Sequence, residues 1–150
     1  MVLIELGEMK FPMQGLLELD TAAGTVRLAA LDDFGVTLFR LTTTRTDERV
    51  DFILPLVPSG AEVTHSVATS LRRIYLDPGR ATPGAKGLFL EPGPEGTVAS
   101  ASPRGAGVWR VWYDEYGEVG GVPVPRSIRY KERGGASLTI KQESVKRVDE

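Results

Sequence analysis

The chain has 150 residues and a mass of 16.3 kDa, enough for one domain with a hydrophobic core. Apolar residues make up 41% and charged residues 25%, a globular balance that excludes the disordered class. The absence of cysteine excludes disulfides, thiolate catalysis and cysteine-bound metals, and no apolar run approaches the roughly 20 residues that span a bilayer. We expect residues 1–150 to form a single domain.

The first third of the chain alternates apolar and polar residues, a pattern typical of strands with one buried face. It predicts four strands, at residues 13–20, 25–31, 36–43 and 50–54. Gly24, the corner at residues 32–35 and the polar residues 44–49 mark the turns between them. We therefore expect an antiparallel meander of four strands.

Apolar residues then recur at helical spacing between residues 61 and 76 and predict the only good helix. They are Val63, Val67, Leu71 and Ile74 or Tyr75. Ser59 or Gly60 can cap the start of this helix, and the Asp-Pro-Gly sequence at residues 77–79 ends it.

The rest of the chain returns to strands after an irregular stretch. Residues 77–107 are dense in proline and glycine and predict loops with short strands at 87–90 and 97–102. The last third predicts an aromatic-rich strand, a long turn and a hairpin, at residues 108–116, 117–125, 127–133 and 136–148. About nine strands and one helix result.

Chemical motifs are weak throughout the chain. His65 is the only histidine and lies on the predicted helix, where a structural or solvated role is expected. The acidic pairs Asp32/Asp33 and Asp114/Glu115 are adjacent in sequence, so within a strand their side chains would point to opposite faces. We expect a protein that is not an enzyme and has no metal or cofactor; an esterase-like role for His65 is kept as an alternative.

The C-terminal part is locally basic although the whole chain has a net charge of -2. Residues 126–147 contain seven Lys or Arg against two Glu. This segment is interpreted as the solvated face of a hairpin, or as a contact for anionic lipid headgroups or an acidic partner. The overall charge does not predict nucleic-acid binding.

A twisted antiparallel sheet with only one helix must close on itself or leave a concave apolar face, and such faces bind apolar ligands. The alternative is that the helix and loops fill the concavity. Phe34 presents a similar choice, because it stands between two aspartates and a glycine at the corner of two strands. It either folds back into the core or projects as an apolar tip that touches membrane or cargo.

Two stretches carry a resemblance to a known family. The first is residues 26–41, a strand, a turn with an apolar residue before glycine, and a second strand. The second comprises residues 109–116, 122–130 and 135–141, in which a proline-containing segment precedes a strand, a glycine turn and a strand ending in a basic residue. Together they resemble the LolA/LolB-like family of outer-membrane lipoprotein carriers, most closely LolB.

The resemblance implies a fold that is mainly β, an antiparallel incomplete barrel or strongly curved sheet with the helix as its lid. It implies a lipid- or lipoprotein-binding protein at the periplasmic face of the bacterial outer membrane, which assists lipoprotein localisation. Its partners would be acyl chains or lipoproteins, a membrane surface and a donor carrier protein. Phe34 matches a protruding leucine that LolB proteins use in delivery to the membrane. No leader or lipidated cysteine, and no counterpart of the family's first helix and first strand, is expected before Met13.

Candidate residues lining the apolar cavity are Leu17, Leu19, Leu28, Leu38, Phe52, Trp109, Val111, Tyr113, Ile128, Leu138 and Ile140. Their faces depend on strand register, because a slip of one residue inverts the assignment. A second hypothesis for function is a non-catalytic envelope scaffold with a filled core and a basic hairpin that binds a partner.

Overall fold

The computed structural model describes residues 2–6, 9–55, 57, 60–77, 88–103 and 108–146. Ten strands lie in these ranges: β1 Val2–Leu6, β2 Met9–Asp20, β3 Thr25–Leu31, β4 Thr37–Thr44, β5 Glu48–Ile53, β6 Leu88–Pro92, β7 Val98–Pro103, β8 Trp109–Val119, β9 Val122–Glu132 and β10 Ser137–Lys141. Helix α1, Gly60–Leu71, is extended by a π-helical turn, Arg72–Leu76.

All strand pairs are antiparallel and follow the order β5-β4-β3-β2-β1-β10-β9-β8-β7-β6. The sheet has two halves, one with β3, β4 and β5 and the other with β1, β10, β9, β8, β7 and β6. The long strand β2 joins them, because its first part pairs with β1 and its second part, from Gln14 onward, pairs with β3. Within the described residues the edge strands β5 and β6 do not pair, so the barrel is incomplete. This confirms the expected mainly β fold with one helix.

Alternation along the strands places one face of the sheet in the core. On β3, Val26, Leu28 and Ala30 are buried while Arg27 is exposed. On β4, the buried residues are Phe39, Leu41 and Thr43. Bulges between Ala30 and Leu31 and between Arg40 and Leu41 interrupt the register of the two pairs that β4 forms. Such bulges bend a strand and increase its twist, which favours a curved sheet.

The helix lies on the concave face of this sheet and is buried along one side. Its residues Val63, Val67, Ala68, Leu71, Ile74 and Leu76 are at most 2% exposed and belong to the same hydrophobic cluster as residues from both halves of the sheet. The last turn is wider than an α-turn, since the Asp77 amide donates to the Arg72 carbonyl at 2.9 Å. The predicted helix at 61–76 is confirmed, whereas Ser59, Pro78 and Gly79 lie outside the described residues.

Three predictions about the strands were wrong. The last strand, expected over residues 136–148, ends at Lys141, and residues 142–146 form no strand. Strand β1, absent from the sequence-based expectation, pairs with β10 on one side and β2 on the other. The expected long turn at 117–125 is instead a continuous hairpin, with β8 and β9 joined by Gly120 and Gly121 at φ 56° and 80°. Two residues with positive φ suit a tight hairpin turn.

The prolines of that hairpin are the reason that a turn was predicted there. Pro123 and Pro125 pair with Glu118 and Tyr116 of β8, yet β10 reaches only as far as Ser127 of β9. A missing N–H in this part of β9 therefore costs no bond in the β9–β10 ladder. Proline is tolerated at strand positions where no neighbouring strand needs its missing N–H.

Candidate functional site

Most of the residues expected to line a cavity belong to the hydrophobic cluster that α1 also joins. Seven of the eleven candidates are buried: Leu28, Trp109, Val111, Tyr113, Ile128, Leu138 and Ile140. Leu17 and Leu38 are half-buried against the same cluster. Leu19 is 40% exposed near the end of β2. The structure therefore brings nine of the eleven candidates to the hydrophobic cluster around α1, and two lie outside it.

The assignment of Phe52 to the concave face was wrong. Phe52 pairs with Arg40 in the β4–β5 ladder, and the Arg40 guanidinium lies 5.7 Å from the centre of its ring. Arg40 is exposed, so the two side chains share the outer face. The neighbouring Ile53, opposite the buried Phe39, is the β5 residue that contacts the core.

Leu38 is displaced from the centre of the concave face by the bulge at the start of β4. Ala30 pairs with Phe39 and Leu31 with Thr37, so Leu38 is the extra residue. Phe39, which is fully buried, takes the inward-facing position instead. Sequence reasoning missed Phe39 and Leu41 because alternation alone defines two faces of a strand without saying which is inside.

The end of the helix is attached to the second half of the sheet by a polar cluster. Arg73 Nη1 donates to Tyr130 Oη at 2.6 Å and to Glu132 Oε1 at 3.0 Å, and Tyr130 Oη donates to the same carboxylate at 2.5 Å. The guanidinium also lies 5.2 Å from the centre of the Trp109 ring. No sequence signal pointed to this cluster, because its members are 57 and 59 residues from Arg73.

Tyrosine hydroxyls provide further attachments of the helix. Tyr113 donates to the Ile74 carbonyl at 2.5 Å, and Tyr75 donates to Gln142 Oε1 at 3.3 Å. Burial raises the pKa of both phenols, because a phenolate would lose hydration inside the protein. The neutral hydroxyls therefore remain donors at neutral pH.

Phe34 projects from the β3–β4 turn and is 93% exposed. Asp32 braces this turn, since its Oδ1 accepts hydrogen bonds from the amides of Phe34 at 2.8 Å and Val36 at 2.9 Å. Gly35 has φ +81°, a conformation that favours glycine. Of the two alternatives for Phe34, the exposed tip is the one observed.

The remaining candidate for chemistry, His65, lies on the surface of α1. Its Nδ1 is 2.9 Å from Glu48 Oε1, and its side chain is 70% exposed. Among the described residues, no group of three or more His, Cys, Asp or Glu side chains could hold a metal ion. His65 and Glu48 thus form a surface ion pair between α1 and β5 when the imidazole is protonated.

The chain was compared with protein-family models and with curated proteins, and neither comparison gave a match. In the part of the chain that the structure describes, no helix is long and apolar enough to cross a membrane.

Proposed function

We propose that this chain is a lipid- or lipoprotein-binding protein of the bacterial cell envelope, which holds acyl chains against the concave face of its sheet. In this proposal it receives its cargo from a donor carrier protein and assists lipoprotein localisation at the periplasmic face of the outer membrane. The observation that carries the proposal is Phe34, an almost fully exposed aromatic residue on a turn braced by Asp32. Burying a Phe side chain in a bilayer contributes roughly 1.5–3 kcal/mol.

The concave face of the sheet supports the part of the proposal that concerns acyl-chain binding. It is apolar across both halves of the sheet, and α1 lies on it. Each CH₂ group taken from water contributes about 0.8 kcal/mol, so a chain that enters between α1 and the sheet gains affinity with its length. Because α1 occupies this face, entry requires the helix to shift, and the contacts of Arg73 with Tyr130 and Glu132 must open.

The two tryptophans of the chain allow a direct test. Trp109 is 8% exposed and belongs to the core, whereas Trp112 lies on the opposite face of β8. In a Trp112→Phe variant, a fatty acid brominated along its chain is expected to quench Trp109 fluorescence saturably, because bromine quenches indoles at contact range. The matched Trp109→Phe variant, which keeps the outer Trp112, is expected to show much weaker quenching.

A second candidate function is the non-catalytic envelope scaffold with a filled core. It is favoured by the close packing of α1, whose inward residues are at most 2% exposed against the sheet. Under this alternative the brominated fatty acid quenches neither Trp109 nor Trp112 saturably. Quenching of Trp112 alone would also contradict an acyl-binding concave face.

A further inference from the structure

The outer face of β8 and β9 carries two arginines that contact one indole ring, and a lysine that lies opposite one of them. We call this group the cationic patch, and it consists of Arg110, Trp112, Arg129 and Lys131. Val111 and Tyr130, which alternate with these residues along the strands, are buried in the core. The patch therefore lies on the side of the sheet opposite α1, and three of its four residues are exposed.

Strand register concentrates like charges in this patch. Arg110 lies directly opposite Lys131, and Trp112 lies opposite Arg129. Both guanidinium groups contact the indole, at 5.4 Å for Arg110 and 5.2 Å for Arg129 from the ring centre. Like charges directly opposite each other destabilise a strand pair. An anion bound here would relieve that repulsion.

Among the described residues, a carboxylate neutralises one of the three cations. Arg110 Nη2 lies 2.8 Å from Glu91 Oε2 and 3.1 Å from Ser100 Oγ. Within the described ranges, Arg129 and Lys131 have no carboxylate within 4.0 Å. On the β10 side they pair with Thr139 and Ser137, which are uncharged. The cationic patch thus keeps an excess of positive charge on a chain whose net charge is -2.

We propose that the cationic patch binds the surface of a bilayer containing anionic phospholipids. The patch sits on interior strands, where β9 is paired with β8 and β10, so an extended peptide cannot add to the sheet there. Tryptophan favours the headgroup region of a bilayer, since its ring is apolar with a polar N–H. Arginine can stack on an aromatic ring and still bind phosphate, and Arg129 stacks on Trp112 without an ion pair to any carboxylate of the described residues. This inference rests on the proposed envelope function in one respect: the protein must be located next to a membrane.

The test uses the full chain and two kinds of vesicle, phosphatidylcholine alone and phosphatidylcholine mixed with phosphatidylglycerol. The Arg129→Gln/Lys131→Gln variant should bind the mixed vesicles about 30-fold more weakly than wild type, about fivefold for each charge removed. Binding to neutral vesicles should not change. The matched control, Arg27→Gln/Arg49→Gln, removes two exposed cations of the other half of the sheet and should change mixed-vesicle binding much less.

Three outcomes would overturn the inference. They are a wild-type protein that does not prefer the mixed vesicles, a patch variant that binds them as wild type does, and equal losses in the patch and control variants. If the wild-type protein binds polyglutamate but does not bind the mixed vesicles, the patch is assigned to an acidic protein partner instead. Cooperative urea unfolding, with midpoints no lower than that of wild type, shows that the patch variants fold. Acyl binding, and with it the proposed function, is tested separately by the quenching of Trp109 fluorescence.

Discussion

Arg73 on the helical lid and Glu132 on β9 form an ion pair of 3.0 Å, although 59 residues separate them in the chain. Both side chains are about three-quarters buried, and Tyr130 bonds to each of them. In the proposed mechanism this contact holds the lid closed, because it attaches the end of the helix to the half of the sheet farther from β4 and β5.

Replacing Arg73 by Met is expected to lower the free energy of unfolding by about 2–3 kcal/mol, since it leaves the Glu132 carboxylate without its cation. Urea unfolding followed by circular dichroism measures this. The Arg73→Met/Glu132→Gln double variant should lose less stability than the sum of the two single variants. Strict additivity would show that the two side chains do not interact in solution.

Phe34→Glu should change the free energy of unfolding by less than about 0.5 kcal/mol, because the side chain is 93% exposed. Association with neutral vesicles should nevertheless be lost, since a carboxylate cannot enter the bilayer. Leu16→Glu is the matched control, because Leu16 is an exposed apolar residue of β2, 67% accessible. Equal effects of the two substitutions on vesicle binding would argue against a specific tip.

Asp32→Ala should destabilise the protein by about 1–2 kcal/mol, because the substitution removes the acceptor of the Phe34 and Val36 amides. Asp33→Ala is the control, since the adjacent exposed Asp33 accepts no hydrogen bond from the described residues. Chemical denaturation of the two variants under the same conditions gives the difference. Equal stabilities would mean that the hydrogen bonds of Asp32 do not brace the turn.

Phe39→Ala should cost about 3–5 kcal/mol of stability, as expected for a large aromatic side chain in a closed core. Leu38→Ala should cost roughly half as much or less, because Leu38 is only partly buried at the bulge. Thermal or urea unfolding of the two variants compares them directly. The reverse order of stabilities would show that β4 presents its other face to the helix.

High pH is expected to unfold the protein through its tyrosines. Burial is the main cause that raises the pKa of all four tyrosines, Tyr75, Tyr113, Tyr116 and Tyr130. In the unfolded chain the phenols ionise near pH 10, so the stability that they contribute is complete below about pH 10 and is lost as the pH rises toward their folded pKa values.

Tyrosinate absorbance and circular dichroism should therefore change together above about pH 10. Tyr113→Phe should make the loss of stability with pH shallower, because one of the shifted groups is gone. Tyrosine ionisation near its ordinary pKa while the fold persists would contradict the buried placement of these phenols.

The sequence by itself determined much of the fold. Period-two alternation predicted the strands at 13–20 and 25–31, and apolar spacing predicted the helix at 61–76, because these signals depend only on neighbours along the chain. The Asp-Phe-Gly corner was also predictable, since turn chemistry is local. The family resemblance predicted the open, curved sheet.

Only the tertiary structure decided which face of each strand is inside and which distant residues meet. The bulge in β4 places Phe39, and not Leu38, on the inner face of the sheet. Val2–Leu6 forms a strand because it pairs with β10 and β2. The contact of Arg73 with Glu132, the stacking of Arg110 and Arg129 on Trp112, and the pairing of Lys131 with Arg110 depend on long-range register. Such contacts arise because strands pair across the whole chain, so no local pattern records them.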